Sequence, residues 1–431
     1  MGVNPQAEEL NRIIRETSEV VCWLLSEKGR AIYFPKKGIL GQTAEAKGKR
    51  INATIGAAIE DDGTPMRLRS IAKNVLLNPK DIFPYAPSYG KPELRKAWKE
   101  MMLKKNPSLK AAVSLPVVTN ALTHGLSMVG YLFANPGDKI IITDKFWGNY
   151  RLIFENAYGA VLETFNTFKG NGFDIESFRK EVMEERGKIM ILLNFPNNPA
   201  GYTPTENEAE EIARVIKESA EDGNKIVVIL DDAYFGLVYK DGIYKESLFS
   251  KLADIHENVL AIKLDGATKE DYVWGLRVGF ITYGFKGGNE KVYAALEDKT
   301  AGAVRGSISN ASNLSQSLVL DAFSSESYWQ EKKEKYELLK SRFKKAVDVL
   351  EDKRYAECFT PCPFNSGYFM CIELKQGMDA EKVRQTLLKK YDTGVISIQN
   401  MLRLAFSSVA EKDIEELFEN IYNACKEIRL K

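Results

Sequence analysis

The sequence predicts an α/β fold: a three-layer sandwich with a mainly parallel sheet, followed by a smaller α/β domain. Three observations carry that expectation. From Val113 onward, short apolar runs alternate with stretches of helical period, the pattern of parallel strands joined by crossover helices. Most of those strands run out into polar, turn-rich stretches, and in sheets of this kind ligands sit beyond the carboxyl ends of the strands. The length, 431 residues with 44% hydrophobic content, is enough to bury a core spread over two or three domains.

In chain order, a helix is expected over residues 5–28, capped by Asn4, with Pro5 in its first turn and Gly29 past its end. Leu10, Ile13, Ile14, Val21, Leu24 and Leu25 give it an apolar face. Residues 31–49 read as polar and irregular. Residues 51–56, INATIG, read as a short extended piece whose closing glycine, Gly56, lets backbone approach a neighbour closely. A second helix is expected over residues 65–77, and the loop from Tyr85 runs into a helix with Pro92 near its start. Strands follow at 114–119, 139–143, 161–164, 189–193, 226–230, 259–263 and 278–283, with helices at 122–134, 148–157, 175–185 and 206–220 between them. A long charged helix over 327–350 leads into a strand at 368–374, a helix at 379–390, short strands near Val395 and Arg403, and a closing helix at 411–429. That long helix is the natural boundary. It gives an N-terminal segment, 1–80, contributing to the small domain, a large domain, 81–325, and a C-terminal small domain, 326–431.

Composition excludes several classes of function. The 60 basic and 59 acidic residues nearly cancel, so no global field draws the protein to nucleic acid or an anionic membrane. Neither a signal-peptide pattern nor an apolar run of membrane-spanning length is present, and a cytoplasmic protein is the expectation. The cysteines, Cys22, Cys358, Cys362, Cys371 and Cys425, are scattered. Cys358 and Cys362 lack the second pair or neighbouring histidines of a zinc site, which favours reduced, buried thiols. With only His124 and His256 in the chain, lysine, tyrosine or a cofactor is expected to move protons.

The strand exits gather the chemistry. The first opens a helix at Ala121, Leu122 and Thr123, where backbone N–H groups bind phosphate and Thr123 adds a hydroxyl, or simply caps the helix. The second, DKFWGNY, places Trp147 on a loop, where an indole either stacks on a planar ring or plugs the core. The fourth, NFPNNPAGYTPT, has a proline-set backbone that can aim the Asn198 amide at a ligand oxygen, though plain turns look similar. The fifth, DDAYFG, sets Asp231 and Tyr234 together; a carboxylate after a buried strand needs a cation, and either an arginine or a protonated pyridine nitrogen is one. After the sixth comes LDGATKEDYVWGLRVGF, with Lys269 and Arg277. A lysine amine can form a Schiff base with an aldehyde cofactor, and a guanidinium can grip a phosphate through two parallel N–H bonds.

These stretches, above all NNPAG, DDAYFG and the Lys269 to Arg277 spacing, resemble fold-type I pyridoxal-phosphate enzymes of the class I/II aminotransferase family. Several details are similar to aspartate and aromatic aminotransferases, over about residues 85–403. The resemblance implies pyridoxal 5'-phosphate as cofactor, with the large domain as its binding domain and Lys269 as the Schiff-base lysine. It makes Arg277 the phosphate clamp, with Ala121, Leu122, Thr123 and Thr268 around the phosphate and Tyr85 reaching the phosphate of a neighbouring subunit. It pairs Asp231 with the pyridine nitrogen, sets Tyr234 and Asn198 on the ring's phenolic oxygen, and stacks Trp147 on the ring. For substrate it implies Arg403 on the α-carboxylate, Gly56 beside it, and Arg305 as a second fork for a distal carboxylate, donated across a homodimer. The chain departs from the pattern at Gly266, where the family usually carries a serine, and at Leu122, in a loop otherwise rich in small and hydroxyl residues.

The implied activity is transfer of an amino group between an L-amino acid and a 2-oxo acid, with dicarboxylic or aromatic substrates. Two other readings use the same residues. A pyridoxal-phosphate lyase would release ammonia without an added oxo acid. A cofactor-binding regulator without turnover would carry a DNA-binding module, for which the N-terminal segment is too short and too weakly basic.

Overall fold

Seven strands of mostly aliphatic residues form the central sheet: β1 Val117–Asn120, β2 Lys139–Thr143, β3 Val161–Phe165, β4 Lys188–Asn194, β5 Lys225–Asp231, β6 Val259–Asp265 and β7 Val278–Gly284. They belong to a computed structural model that describes residues 4–17, 25, 30–32, 38–72 and 77–429. Their order is β1-β7-β6-β5-β4-β2-β3. Pairing is parallel from β3 through to β6, and antiparallel only on the two sides of β7. That reversal has a consequence for the site. Val278 at the start of β7 lies opposite Asn120 at the end of β1, and Phe280 lies opposite Asp265 at the end of β6. Arg277, just before β7, therefore enters at the same sheet edge as the carboxyl ends of the other strands.

Both faces of the sheet are covered, which is why its strands are apolar at nearly every position rather than at alternate ones. On β4 and β5, Ile189, Ile191, Leu193, Ile226, Val228 and Leu230 pack with Phe178, Ile212 and Ile216, from the helices Ile175–Glu184 and Glu206–Glu221. Met190, Leu192, Val227 and Ile229 point the other way, to Leu126 and Val129 of the helix Ala121–Phe133 and Val304 of the helix Glu290–Ile308. Helix, sheet and helix make the three layers.

The helix Tyr328–Leu350 leads into a second, antiparallel sheet of β8 Phe359–Pro361, β9 Met370–Leu374, β10 Ile396–Ile398 and β11 Met401–Leu404, ordered β8-β9-β11-β10. Arg403 sits on the inner strand β11, opposite Cys371 and Ile396. The helices Ala380–Lys390 and Ile414–Arg429 cover it. The N-terminal segment packs here too: Ile51–Asn52 pairs in parallel with Thr393–Gly394, and buried Arg342 donates to Asp61 Oδ1 at 2.9 Å and to the Ser407 carbonyl at 2.6 Å.

Two expectations change, and a third falls largely outside the described residues. Residues 31–49 contain the helix Ile39–Glu45, held by tertiary bonds that local pattern does not show: Gln42 donates to the Ser397 carbonyl at 3.0 Å, and Glu45 pairs with Arg384 at 2.8 Å. The helix expected from residue 65 begins only at Arg69, because Pro65 is extended and bridged to Ile59; it is described as Arg69–Ala72, and residues 73–76 lie outside the described residues. The opening helix is described as Pro5–Thr17, and much of its expected second half, with Cys22, lies outside the described residues. Cys358, Cys362, Cys371 and Cys425 are free and buried. Among the described residues no helix is long and apolar enough to cross a membrane.

Candidate active site

A cavity of roughly 350 Å³ opens at the sheet edge where the strands β1, β4, β5 and β6 end and β7 begins. It brings together Gly56, Ala121, Leu122, Thr123, Trp147, Asn198, Asp231, Tyr234, Thr268, Lys269, Arg277 and Arg403. Tyr85, 90% exposed, and Arg305, exposed on the helix Glu290–Ile308, lie outside it.

Asp231 is the last residue of β5 and is 3% exposed. Burial raises its carboxyl pKa, and this rise is opposed by the hydroxyl of Tyr150, the charge of Lys269 and the Ala233 amide. Tyr150 donates to Asp231 Oδ2 at 2.6 Å, and the Ala233 amide to Oδ1 at 3.1 Å. Beside it in register, at the end of β4, Asn194 donates to the Asp231 carbonyl at 2.7 Å and accepts from the Asn198 amide at 2.8 Å. The NFPNNP turn is thereby fixed to β5, and Asn198 Oδ1 accepts from Arg403 at 3.3 Å. Arg403 also donates to the Thr54 carbonyl at 3.0 Å and lies 4.4 Å from the Phe369 ring centroid, while its Nε is buried without a partner among the described residues.

Lys269 follows β6 on the short helix Ala267–Glu270, and its amine lies 5.1 Å from the Tyr234 ring centroid. Loss of water around the ammonium outweighs the attraction of Asp231 and, with repulsion from Arg277, lowers its pKa to about 8. Tyr234 is buried, and that burial pushes its phenol well up, so it remains protonated.

Around the other end of the cavity, the N-terminus of the helix Ala121–Phe133 presents backbone N–H groups with no intrahelical partner. Half-buried Arg277 adds its guanidinium. Both Ala121, φ 63°, and Arg277, φ 56°, hold the left-handed conformation that favours glycine, a local strain of the kind that clusters at ligand sites. Thr268 Oγ1 is buried without a partner among the described residues. Gly266 has a packing reason: a Cβ there would stand 2.5 Å from the Val278 carbonyl oxygen, 2.8 Å from Gly279 Cα and 3.0 Å from Leu122 Cδ1. Backbone of β7 and the Leu122 side chain fill the space a serine would use. At Gly56 a Cβ would meet only the Phe369 ring at 3.5 Å, ordinary contact.

Residues 51–421 match the family model described as aminotransferase class I and II. The chain belongs to that family, which makes it a transaminase by class. It is 27% identical over 288 residues to the aspartate aminotransferase of Bacillus sp. (strain YM-2), covering 66% of this chain and 68% of that one. It is 28% identical over 222 residues to the aspartate/prephenate aminotransferase of Thermus thermophilus, covering 51% and 53%; this match spans about half the length of that relative. Among solved structures, an aminotransferase from Anaerococcus prevotii aligns over 90% of this chain and 95% of its own, at 24% identity and a TM-score of 0.79. A Pyrococcus horikoshii kynurenine aminotransferase, solved with PMP, aligns over 96% and 100%, at 18% and 0.80. The fold is that of the pyridoxal-phosphate aminotransferases.

The cavity also contains residues that the sequence reading passed over. Tyr150 lies three residues after Trp147, immediately before the π-wound stretch Arg151–Asn156, a spacing that sequence could have flagged. Asn194 stands in the quoted turn, and its role emerges only from strand register. Thr54 and Ile55 belong to the extended piece 51–56, whereas Ile39, Thr43 and Phe369 reach the cavity from segments that nothing in their local sequence marks.

Proposed function

We propose that this aminotransferase uses pyridoxal 5'-phosphate to move an amino group between an L-amino acid and a 2-oxo acid, with aspartate-like or aromatic substrates. The observation that carries this is the single cavity joining the Lys269 amine, the buried Asp231 carboxylate, the Arg277 and helix-terminus anion site, and the Arg403 fork. The Thr268 hydroxyl, which lines the cavity with Arg277, fits the cofactor's phosphate, and Arg403 Nε fits a substrate carboxylate; neither has a partner among the described residues. When bound, the cofactor supplies an aldehyde for the amino group and a ring that accepts electrons from the substrate's α-carbon.

In this reading Arg277, Thr123, Thr268 and the amides of Ala121 and Leu122 hold the phosphate. Asp231 would pair with the ring nitrogen, Trp147 would stack on the ring, and Tyr234 and Asn198 would hold its phenolic oxygen. Arg403 would fix the substrate's α-carboxylate near Gly56, and the neutral Lys269 amine would take the proton from the substrate's α-carbon. A pKa lowered to about 8 suits that task, because a substantial share of the amine is neutral at working pH.

A homodimer is part of the reading. Tyr85 and Arg305, which lie outside their own chain's cavity, act in a neighbouring subunit's site. The cations lining the cavity among the described residues are Lys269, Arg277 and Arg403. A substrate's distal carboxylate therefore depends on Arg305 from the neighbour, whereas Ile39, Ile55 and Phe369 suit an aromatic side chain without it. We also assign the division at residues 80 and 325, and a cytoplasmic location, to the same reading.

The test is a half-reaction panel: protein loaded with pyridoxal 5'-phosphate is mixed with single amino acids, and the visible absorption of the bound cofactor is followed. Bleaching by aspartate, glutamate or aromatic amino acids, with one oxo acid formed per cofactor, is the expected result. Ammonia release without accumulation of the amino form of the cofactor would point to a lyase instead.

A further inference from the structure

Asp231 joins a demanding task to a sheltered position in the site. It is 3% exposed at the end of a strand buried on both faces, where loss of water favours the neutral acid, and a neutral acid has no charge to offer a ring nitrogen. Its side chain accepts from Tyr150 at 2.6 Å and from the Ala233 amide at 3.1 Å. Neither donor is charged. The nearby cation Lys263 is held by ion pairs with Asp232 and, at 3.2 Å, Asp265, and Lys269 faces Asp231 from the cavity.

We propose that Tyr150 is a positioning residue for the cofactor: its neutral phenol orients the Asp231 carboxylate and keeps its full negative charge available to the ring nitrogen. The inference rests on the pyridoxal-phosphate reading and adds a residue to it. A charged donor at this place would stabilise the carboxylate but cancel its charge toward the ring. A phenol stabilises it and leaves the net charge at minus one. Burial and the neighbouring Asp231 push the Tyr150 phenol well above its ordinary range, so it stays a donor. The ring is itself fixed, 1% exposed, edge-on to Trp147 with centroids 5.5 Å apart and flanked by the rings of Phe146 and Phe154, each centroid 6.5 Å away. The indole over the ring and the phenol behind the carboxylate thus belong to one short stretch, FWGNY.

The test compares the full-length protein with Tyr150→Phe, which removes one oxygen, using two ligands: pyridoxal 5'-phosphate and its carbocyclic analogue with CH in place of the ring nitrogen. Tyr150→Phe should raise the Kd for pyridoxal 5'-phosphate about tenfold, the scale of a hydrogen bond to a charged group. The Kd for the analogue should change by less than about twofold, as should the effect of Tyr150→Phe in an Asp231→Asn background. Equal weakening of both ligands would reduce Tyr150 to a packing role and overturn the proposal, as would no weakening of either. Failure of the unsubstituted protein to bind pyridoxal 5'-phosphate would overturn the cofactor reading and this inference together, and is distinguishable from both.

Discussion

Lys269 illustrates how a residue acquires a property that its side chain lacks in water. Removal from solvent and the nearby Arg277 guanidinium lower its pKa to about 8, against the pull of Asp231. Only the neutral amine adds to an aldehyde, so reactivity is gained as pH rises through the pKa and lost below it. The rate at which cofactor-free protein captures pyridoxal 5'-phosphate should climb through pH about 8 and then level off. A free lysine would climb to about 10.4, so a stopped-flow pH series separates the two. Gly266 makes the opposite point, that a missing hydroxyl can be a packing requirement. Gly266→Ser should destabilise the fold by about 3 kcal/mol rather than improve phosphate binding, measurable as a lower unfolding midpoint, because the new Cβ meets backbone atoms that cannot turn aside. Lys269, Asp231 and Arg277 were legible in the sequence because each follows or precedes a recognisable apolar strand. Asn194 was not, since its partners are chosen by strand register, and Tyr150 is marked only by its spacing from Trp147, not by its partner Asp231.

The turn that carries Lys269 is clamped from behind. The next residue, Glu270, is buried and pairs with Lys105 of the helix Pro92–Lys105 at 2.7 Å and with Lys332 of the long helix Tyr328–Leu350 at 2.9 Å. Lys332 also pairs with Asp271 at 2.9 Å, Tyr328 donates to Asp271 at 2.7 Å, and Tyr368 donates to the Lys269 carbonyl at 2.9 Å. Burial alone would raise the Glu270 carboxyl, but the two lysines override it and hold it below the carboxylate range. Glu270→Ala leaves Lys105 without its ion pair and removes one of the two ion pairs of Lys332, and should cost about 3 kcal/mol in chemical denaturation. Lys332→Met should cost at least as much, because Lys105 still neutralises Glu270 but buried Asp271 loses its ion pair. At this scale the seven strands and the long helix were legible from period and length. The helix Ile39–Glu45 was not, because it depends on Ser397 and Arg384, distant in sequence.

At the scale of the molecule, one sheet edge and the small domain complete each other. The sheet supplies Asp231, Lys269 and Arg277, and β11 supplies Arg403, which reaches back to Asn198 and Thr54. The alternation of strands and helices announced the first half of that arrangement. The second half was legible only through family resemblance, because an arginine on a short inner strand has no local signature of ligand binding. The two-subunit reading makes its own prediction: Arg305→Ala should lower rates with aspartate and glutamate at least about tenfold, while leaving phenylalanine within about twofold, the loss expected when one partner of a charge-assisted pair is removed. Equal loss for all three would leave Arg305 a structural residue. The most direct measurement of the central claim is borohydride reduction of the protein after incubation with pyridoxal 5'-phosphate, with the labelled peptide identified by mass spectrometry. The expected result is one fixed cofactor per chain, on Lys269, and none on Lys269→Ala. A protein that stays colourless and unlabelled, or carries the label on another lysine, would contradict it.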